Sequence, residues 1–172
     1  MTNQQKQFSG SVKTFALLAI GVGALVAILA AAAGFRAPDP QPTAAVTVYK
    51  SPACGCCSQW VNQLEASGLD VDVVDVADVQ TVGSRMGVPA EARSCHTAKV
   101  GDYWVEGHVP PDLVAYLIKE KPEGIAGLAV PGMVIGSPGM EGPNAGEYDV
   151  IAYDSNGNSR VFAKREGQAA PR

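Results

Sequence analysis

Three of the chain's four cysteines lie within four consecutive positions, and this cluster constrains the fold more than any other feature. Cys54, Cys56 and Cys57 follow an apolar, β-branched run at residues 45–49. They precede residues 56–66, where apolar side chains recur at helical spacing. The sequence therefore predicts a strand, a cysteine-bearing turn and a helix in direct succession.

The elements that follow predict the order βαβα and then ββα. We expect a half-buried second strand at residues 69–76 and a short second helix at residues 79–86. Residues 96–109 predict a pair of strands about the Gly101-Asp102 turn, and a third helix begins at Pro111. A Cys-x-x-Cys turn in a chain of this order is typical of a thioredoxin-like domain. The predicted fold class is therefore α/β and thioredoxin-like.

The C-terminal third has a different composition. Residues 122–147 are interrupted by Gly and Pro and predict a long ordered loop or a covering flap. Residues 148–153 and 159–163 alternate as two strands about Asn156-Gly157, which is a strong hairpin signal. The domain should therefore end in a Gly/Pro-rich loop and a β-hairpin.

The N-terminal segment is an export signal. Residues 14–35 carry no charge and follow Lys6 and Lys13. Because about 20 apolar residues span a bilayer, this segment favours an uncleaved anchor helix, although the Ala-rich end at residues 31–33 leaves cleavage open. Either way, we expect the rest of the chain to lie outside the cytoplasm.

These features divide the chain into four parts. They are a signal anchor or signal peptide (residues 1–36), a Pro-rich linker (37–44), a metal-binding domain (45–165) and a disordered tail (166–172). Without residues 1–36 the chain keeps 10 basic and 17 acidic residues, a net charge of −7. Such an acidic domain is a poor partner for nucleic acid. The order of residues also lacks a Ser/His/Asp triad pattern or a phosphate-binding loop, so nothing indicates a hydrolase.

Cys56 separates the possible chemistries of the cysteine turn. Thiol–disulfide exchange needs only two sulfurs, with Cys54 attacking and Cys57 resolving. Three sulfurs in one turn favour a soft metal ion, Cu(I) first and zinc second. A third alternative, a disulfide-stapled interaction module, remains open because four cysteines in an oxidising compartment can form two bridges.

Further soft donors are predicted near this turn. Cys95 and His96 begin the predicted third strand, which starts beside the N-terminus of the first helix, so they can face the cysteine turn. His108 lies between a strand and a helix, where site residues gather. Met133 and Met140 lie in the Gly/Pro-rich loop, and their thioethers are soft ligands for Cu(I). The predicted metal ligands are thus Cys54, Cys56, Cys57, Cys95, His96, His108, Met133 and Met140.

Taken together, four stretches resemble the CopG-like family of bacterial copper-resistance proteins. They are YKSPACGCCSQWV, GVPAEARSCHTAKVGDYWVEGHVP, GLAVPGMVIGSPGMEGP and YDVIAYD, and the resemblance covers residues 46–164. It implies a periplasmic thioredoxin-like domain, anchored in the inner membrane or released, that binds copper and serves copper homeostasis or resistance. It also implies metal ions as ligands and other periplasmic copper-handling proteins as partners.

Whether the chain is an enzyme stays open at this point. The resemblance is compatible with storage, with delivery and with an oxidoreductase that cycles Cu(I) and Cu(II). Ordinary thioredoxins place a proline just before the strand that faces the active site, whereas here Ser94, Cys95 and His96 occupy that region. This difference argues against the docking of substrate disulfides in the way that ordinary thioredoxins dock them.

Overall fold

The computed structural model describes residues 45–169. The predicted export segment and the linker lie outside the described residues, as do the last three residues of the chain. Within residues 45–169, no helix has the length and apolar character needed to cross a membrane.

The described residues form three α-helices, one short 3₁₀ turn at residues 90–92 and seven strands. In chain order these are β1 (Val46–Lys50), α1 (Gly55–Ala66), β2 (Val71–Asp75), α2 (Val79–Arg85), β3 (His96–Val100), β4 (Tyr103–Glu106), α3 (Pro111–Glu120), β5 (Gly127–Ala129), β6 (Glu147–Tyr153) and β7 (Ser159–Glu166). The predicted order of helices and strands up to α3 is confirmed.

All seven strands join one mixed sheet in the order β2-β1-β3-β4-β5-β6-β7. β1 runs parallel to β2, and β3 runs antiparallel to both β1 and β4. The register places Lys50, the last residue of β1, opposite His96, the first residue of β3. As a result, the loop that leaves β1 and the residues that enter β3 meet at one edge of the sheet.

Two clusters of buried side chains cover the two faces of this sheet. The larger one contains Trp60 and Leu64 of α1, Leu117 of α3, and inward residues of the central strands such as Val105. The smaller one contains Trp104 of β4, the direct neighbour of Val105. Because successive side chains of a strand point to opposite faces, α1 and α3 cover one face of the sheet and Trp104 lies on the other.

The second strand is more exposed than the sequence predicts. The alternation of acidic and apolar residues indicates a half-buried strand, but Val73 and Val74 of β2 are 43% and 40% exposed. β2 is the end strand of the sheet and pairs with β1 alone among the described strands. Its valines are therefore only partly covered, and the prediction of a half-buried strand is wrong.

The Gly/Pro-rich region contains a strand that the sequence does not reveal. β5 has only three residues, all buried, and pairs with β4 on one side and β6 on the other. A Cβ atom on Gly127 would overlap the indole ring of Trp104, so glycine is needed where β5 approaches β4. This short strand joins the predicted C-terminal hairpin to the main sheet.

The ordered domain also extends past the predicted boundary at residue 165. Glu166 is the last residue of β7. Gly167 donates a hydrogen bond from its N–H to the carbonyl of Gly146, and Gln168 donates one to Gly136. These bonds hold residues 167 and 168 against the Gly/Pro-rich loop, so the predicted tail from residue 166 begins too early.

Candidate metal centre

The cysteine turn forms the N-terminus of α1. Cys54 is the N-cap residue, and its side chain makes no capping hydrogen bond. Cys57 is fully buried, whereas Cys54 and Cys56 are half-buried. The first turn of α1 carries no acidic residue, so the positive end of the helix dipole faces the sulfurs without a competing carboxylate.

Cys54 and Cys57 form a disulfide, and Cys56 and Cys95 are free. The sequence offers thiolate ligands, disulfides and a redox pair as alternatives for this turn. The described state is the oxidised one, in which the sulfurs of Cys54 and Cys57 are bonded to each other. For all four sulfurs to bind a metal as thiolates, this bond must first be reduced.

Cys95 meets the turn from the other side, at the entrance to β3. Its Sγ atom lies 3.5 Å from Sγ of Cys57, and Sγ of Cys56 lies 3.5 Å from Sγ of Cys54. All four sulfur atoms lie within 4.8 Å of one another. The antiparallel pairing of β1 with β3 produces this proximity, as the sequence order predicted, although the ligand role itself stays a prediction.

His96 is fully buried and lies between the sulfurs and the core. Its Nδ1 atom is 3.4 Å from Sγ of Cys95, and its ring packs on that of Trp60 with centroids 4.4 Å apart. Its Nε2 atom is buried without a hydrogen-bond partner in the described part of the chain. Burial, and secondarily the nearby His108, lowers the pKa of His96 to about 3, so its ring is neutral at physiological pH.

His108 approaches Cys95 from the loop after β4. Its Nε2 atom lies 3.2 Å from Sγ of Cys95, and its Nδ1 atom lies 2.7 Å from the carbonyl oxygen of Pro138. Burial lowers the pKa of His108 below its ordinary value. A carbonyl only accepts hydrogen bonds, so in the neutral ring Nδ1 carries the proton and the lone pair of Nε2 faces the sulfur.

Cys95 is the donor common to two groups of side chains. It belongs to the four-sulfur group, and with His96 and His108 it forms a second group whose donor atoms also lie within 4.8 Å of one another. Burial, and then the neighbouring Cys56, raises the pKa of Cys95 to about 12. Without a cation beside it this sulfur is therefore a neutral thiol, and a bound positive charge would favour the thiolate.

A segment of the Gly/Pro-rich loop covers this centre. We call residues 136–141 the cover segment; its first four residues, 136–139, are buried. A Cβ atom on Gly139 would lie 2.8 Å from both the carbonyl oxygen of Cys56 and the backbone N of Trp60. The backbone of the cover segment therefore rests directly on the first turns of α1.

The two methionines have different surroundings. Met140 belongs to the cover segment and is half-buried. Met133 lies before this segment and is 54% exposed. Met140 is thus partly enclosed within the cover segment, whereas Met133 is largely open to solvent. Their predicted role as thioether ligands stays a prediction.

The sequence missed a buried acid beside the centre. Glu106, the last residue of β4, is fully buried and accepts hydrogen bonds from the N–H of Ser94 at 2.7 Å and the hydroxyl of Thr97 at 2.6 Å. These two residues flank Cys95 and His96 at the entrance to β3. A single acid within an apolar strand is the only signal in the sequence that marks this position.

Two further contacts leave no signal in the sequence pattern. The carbonyl of Pro138 is a backbone group that every residue type offers, so no side chain marks its bond to His108. Gln63 and Glu141 are 78 positions apart and bond to each other at 2.8 Å. In the sequence alone, Gln63 in a helix and Glu141 in a loop look like ordinary surface residues, because nothing there shows that they meet.

The donor set fits a soft metal ion. Four sulfurs supply soft ligands once reduced, and two buried imidazoles are held neutral, which is the form that binds metals. The unpaired Nε2 of His96 is a buried polar atom that the described protein groups do not satisfy. The arrangement can therefore hold copper or zinc, with thiolates favouring Cu(I).

Comparison with known proteins finds one matching family model and two similar solved structures. A family model described as "Protein of unknown function, DUF411" matches residues 92–140. Two solved structures of the copper resistance protein CopG, forms 2 and 1, are each 39% identical to the chain with a TM-score of 0.66. The matches cover 71% of this chain and 98% and 97% of those chains. No match was found among curated protein sequences.

Proposed function

The chain belongs to the CopG family of copper-resistance proteins, and we propose that it binds copper and serves copper homeostasis or resistance. The observation that carries this proposal is the convergence of four sulfurs within 4.8 Å and of two neutral imidazoles on the same Cys95. Thiolates are the ligands that Cu(I) prefers, and imidazoles suit copper in either oxidation state.

In this proposal Cys54, Cys56, Cys57 and Cys95 bind the metal through sulfur. His96 and His108 complete the centre on the side of the core, and Met140 of the cover segment lies over it. Copper bound there supplies a one-electron redox couple. The residues of the chain bind it, keep the imidazoles neutral and cover the centre with backbone.

Loading all four sulfurs requires reduction of the Cys54–Cys57 disulfide. The reaction takes two electrons and two protons, which a dithiol reductant supplies as it is oxidised to its own disulfide. The chain therefore depends on a thiol reductant or on early metal binding in an oxidising compartment. Copper-handling proteins of the same compartment are the partners that would deliver or receive the ion.

The proposal also includes a thioredoxin-like fold and a periplasmic location. The fold is supported by the strand order β2-β1-β3-β4, with β1 parallel to β2, and by the cysteine turn at the start of α1. The location is supported by the uncharged segment at residues 14–35. Fractionation of cells that express the full chain tests it: the protein should be in the periplasm or in the inner membrane, and recovery in the cytosol would exclude it.

Copper loading of the reduced full chain tests the function. The protein is purified without oxygen in the presence of a thiol reductant, exposed to Cu(I) and then washed free of unbound metal. We expect at least one copper per chain by elemental analysis and sulfur neighbours by X-ray absorption. Less than one copper per chain, or preferential retention of zinc from an equimolar mixture, would overturn the proposal.

The disulfide supports a second candidate function, thiol–disulfide exchange by Cys54 and Cys57. If that is the function, Cys56→Ser and Cys95→Ser variants should still reduce a disulfide-bonded protein such as insulin, and Cys54→Ser should abolish the reaction. Under the copper proposal, the same three variants should instead lose copper.

A further inference from the structure

The bond between His108 and the cover segment depends on where that segment lies. The carbonyl of Pro138 accepts from Nδ1 of His108 at 2.7 Å, and this bond determines that Nδ1 carries the proton while Nε2, 3.2 Å from Sγ of Cys95, does not. Pro138 lies in a region rich in glycine, and Gly136 and Gly139 adopt positive φ angles of 96° and 80°. Such a backbone has many alternative conformations, so something must hold the carbonyl in place.

Glu141 provides an attachment to α1. Its Oε1 atom accepts hydrogen bonds from Nε2 of Gln63 at 2.8 Å and from the backbone N–H of Gly139 at 2.9 Å. Gln63 lies on α1, the helix that begins at the cysteine turn. The carboxylate thus connects α1 to the residue that directly follows Pro138.

The bonds to Glu141 favour its charged form. Burial acts to raise its pKa, but the hydrogen bonds from Gln63 and Gly139 outweigh this and hold the pKa below its ordinary value. A charged acceptor makes stronger hydrogen bonds than a neutral one. One charge-assisted bond, from Gln63, therefore joins the cover segment to α1, and a second, from the N–H of Gly139, holds the carboxylate within the segment.

We infer that Gln63 and Glu141 are positioning residues that hold the cover segment on α1, so that the Pro138 carbonyl keeps His108 as the Nδ1–H tautomer with Nε2 facing Cys95. Neither side chain is a metal ligand in this scheme. Their importance for copper rests on the proposed function, whereas their effect on the His108 ring does not.

The ratio of the two His108 tautomers, measured in the metal-free chain, tests this inference directly. The chain has only two histidines, so labelling its imidazoles with ¹⁵N gives two sets of ring signals. In the reduced full chain we expect the Nδ1–H form of His108 to predominate. Glu141→Ala should lower the ratio of the Nδ1–H to the Nε2–H form about 2- to 10-fold, the range expected for loss of a hydrogen bond of ordinary strength.

Two variants and a control give the test its specificity. Glu141→Gln keeps a carbonyl oxygen that can accept from both Gln63 and Gly139, so it should restore most of the wild-type tautomer ratio. Gln63→Ala should shift the ratio in the same direction as Glu141→Ala. Gln59→Ala, at an exposed position one turn earlier on α1, should leave the ratio unchanged. A general loss of packing would instead appear as a lower urea midpoint without this order of effects.

An unchanged tautomer ratio in Glu141→Ala overturns the inference, as does a Glu141→Gln variant that shifts it as far as Glu141→Ala. Copper affinity is measured separately: we expect Glu141→Ala to bind Cu(I) about 10-fold more weakly and Glu141→Gln to bind nearly as the wild type does. If the wild-type chain binds no copper and the tautomer still shifts, the proposed function fails and the positioning role stands. If copper binds and the tautomer is unaffected, only the positioning role fails.

Discussion

The Nε2 atom of His108 lies 3.2 Å from Sγ of Cys95, with its lone pair directed at the sulfur. Nδ1 of His96 lies 3.4 Å from the same sulfur. Cys95 is therefore contacted by both imidazoles of the chain and by the sulfurs of the cysteine turn. In chemical terms it is the donor that the sulfur-rich group and the mixed nitrogen–sulfur group share.

This shared position predicts that Cys95 matters more for copper than Cys56 does. Cys95→Ser removes a donor from both groups, whereas Cys56→Ser removes one from the four-sulfur group only. In titrations of the reduced protein with Cu(I) against a competing chelator, we expect Cys95→Ser to lose more affinity, by about 10-fold or more. Equal losses in the two variants would contradict the shared role.

Acid should destabilise the metal-free protein through His96. The pKa of His96 is about 3 in the folded chain against an ordinary value of 6.5. Between these values the unfolded state binds more protons, so the free energy of unfolding falls as the pH drops from 6.5 toward 3. The lowered pKa of His108 acts in the same direction. At pH 5.5 His96 alone should lower the free energy of unfolding by about 1 kcal/mol relative to neutral pH.

Urea unfolding of the reduced, metal-free protein at pH 7.5 and pH 5.5 measures this effect. His96→Phe removes the titrating group and keeps an aromatic ring against Trp60, so its loss of stability between the two pH values should be smaller than that of the wild type by about 1 kcal/mol. If His96→Phe and the wild type lose equal stability, His96 is not responsible for the pH dependence.

The sequence predicts how the donors meet better than it predicts how they are held. The proximity of Cys95 to the cysteine turn follows from element order, because a strand antiparallel to β1 must begin where β1 ends. The cover segment could not be predicted in the same way. It acts through the backbone carbonyl of Pro138 and the close approach of Gly139, and neither has a side-chain pattern.

The missed features of the fold have a similar cause. β5 has three residues and lies in a run of glycines and prolines, too short for any periodicity to appear. The exposure of Val73 and Val74 depends on β2 being the end strand, which local alternation does not reveal. Local pattern thus predicts each element, and the final sheet order determines how much of it is buried.

Glu106 should stabilise the entrance to β3, where Cys95 and His96 lie. Its carboxyl group accepts from Ser94 and Thr97, on either side of that pair. Glu106→Leu leaves a half-buried N–H and a buried hydroxyl without their acceptor, at a cost of about 1 to 6 kcal/mol in unfolding free energy. Glu106→Gln keeps an acceptor for Ser94 and should cost much less. Urea unfolding measures both.

An exposed acid provides the comparison for Glu106. Glu123 lies in the loop after α3 and is exposed, so Glu123→Leu should change the unfolding free energy by less than about 0.5 kcal/mol. A Glu106→Leu variant as stable as Glu123→Leu would show that the two hydrogen bonds to Glu106 contribute little.

Substitution of Gly139 should lift the cover segment from α1. Gly139 and Gly132 have similar positive φ angles, 80° and 74°, so alanine at either position costs about 1 to 2 kcal/mol in backbone strain. Only at Gly139 does the new Cβ also meet protein atoms, the carbonyl oxygen of Cys56 and the backbone N of Trp60. Gly132 has open space around it. Comparing Gly139→Ala with Gly132→Ala therefore distinguishes the effect of contact with α1 from the effect of backbone strain.

The exposure of the free thiols reports whether the segment has lifted. In the disulfide form only Cys56 and Cys95 are free, so a thiol reagent labels these two alone. If the substitution makes closure of the cover segment less favourable by about 1.4 kcal/mol, the fraction of molecules with the segment lifted from α1 rises tenfold. Labelling of Gly139→Ala should then be about 10-fold faster than labelling of the wild type. Gly132→Ala should be labelled at the wild-type rate. Equal acceleration in both variants would mean that backbone strain, and not contact with α1, controls access to the sulfurs.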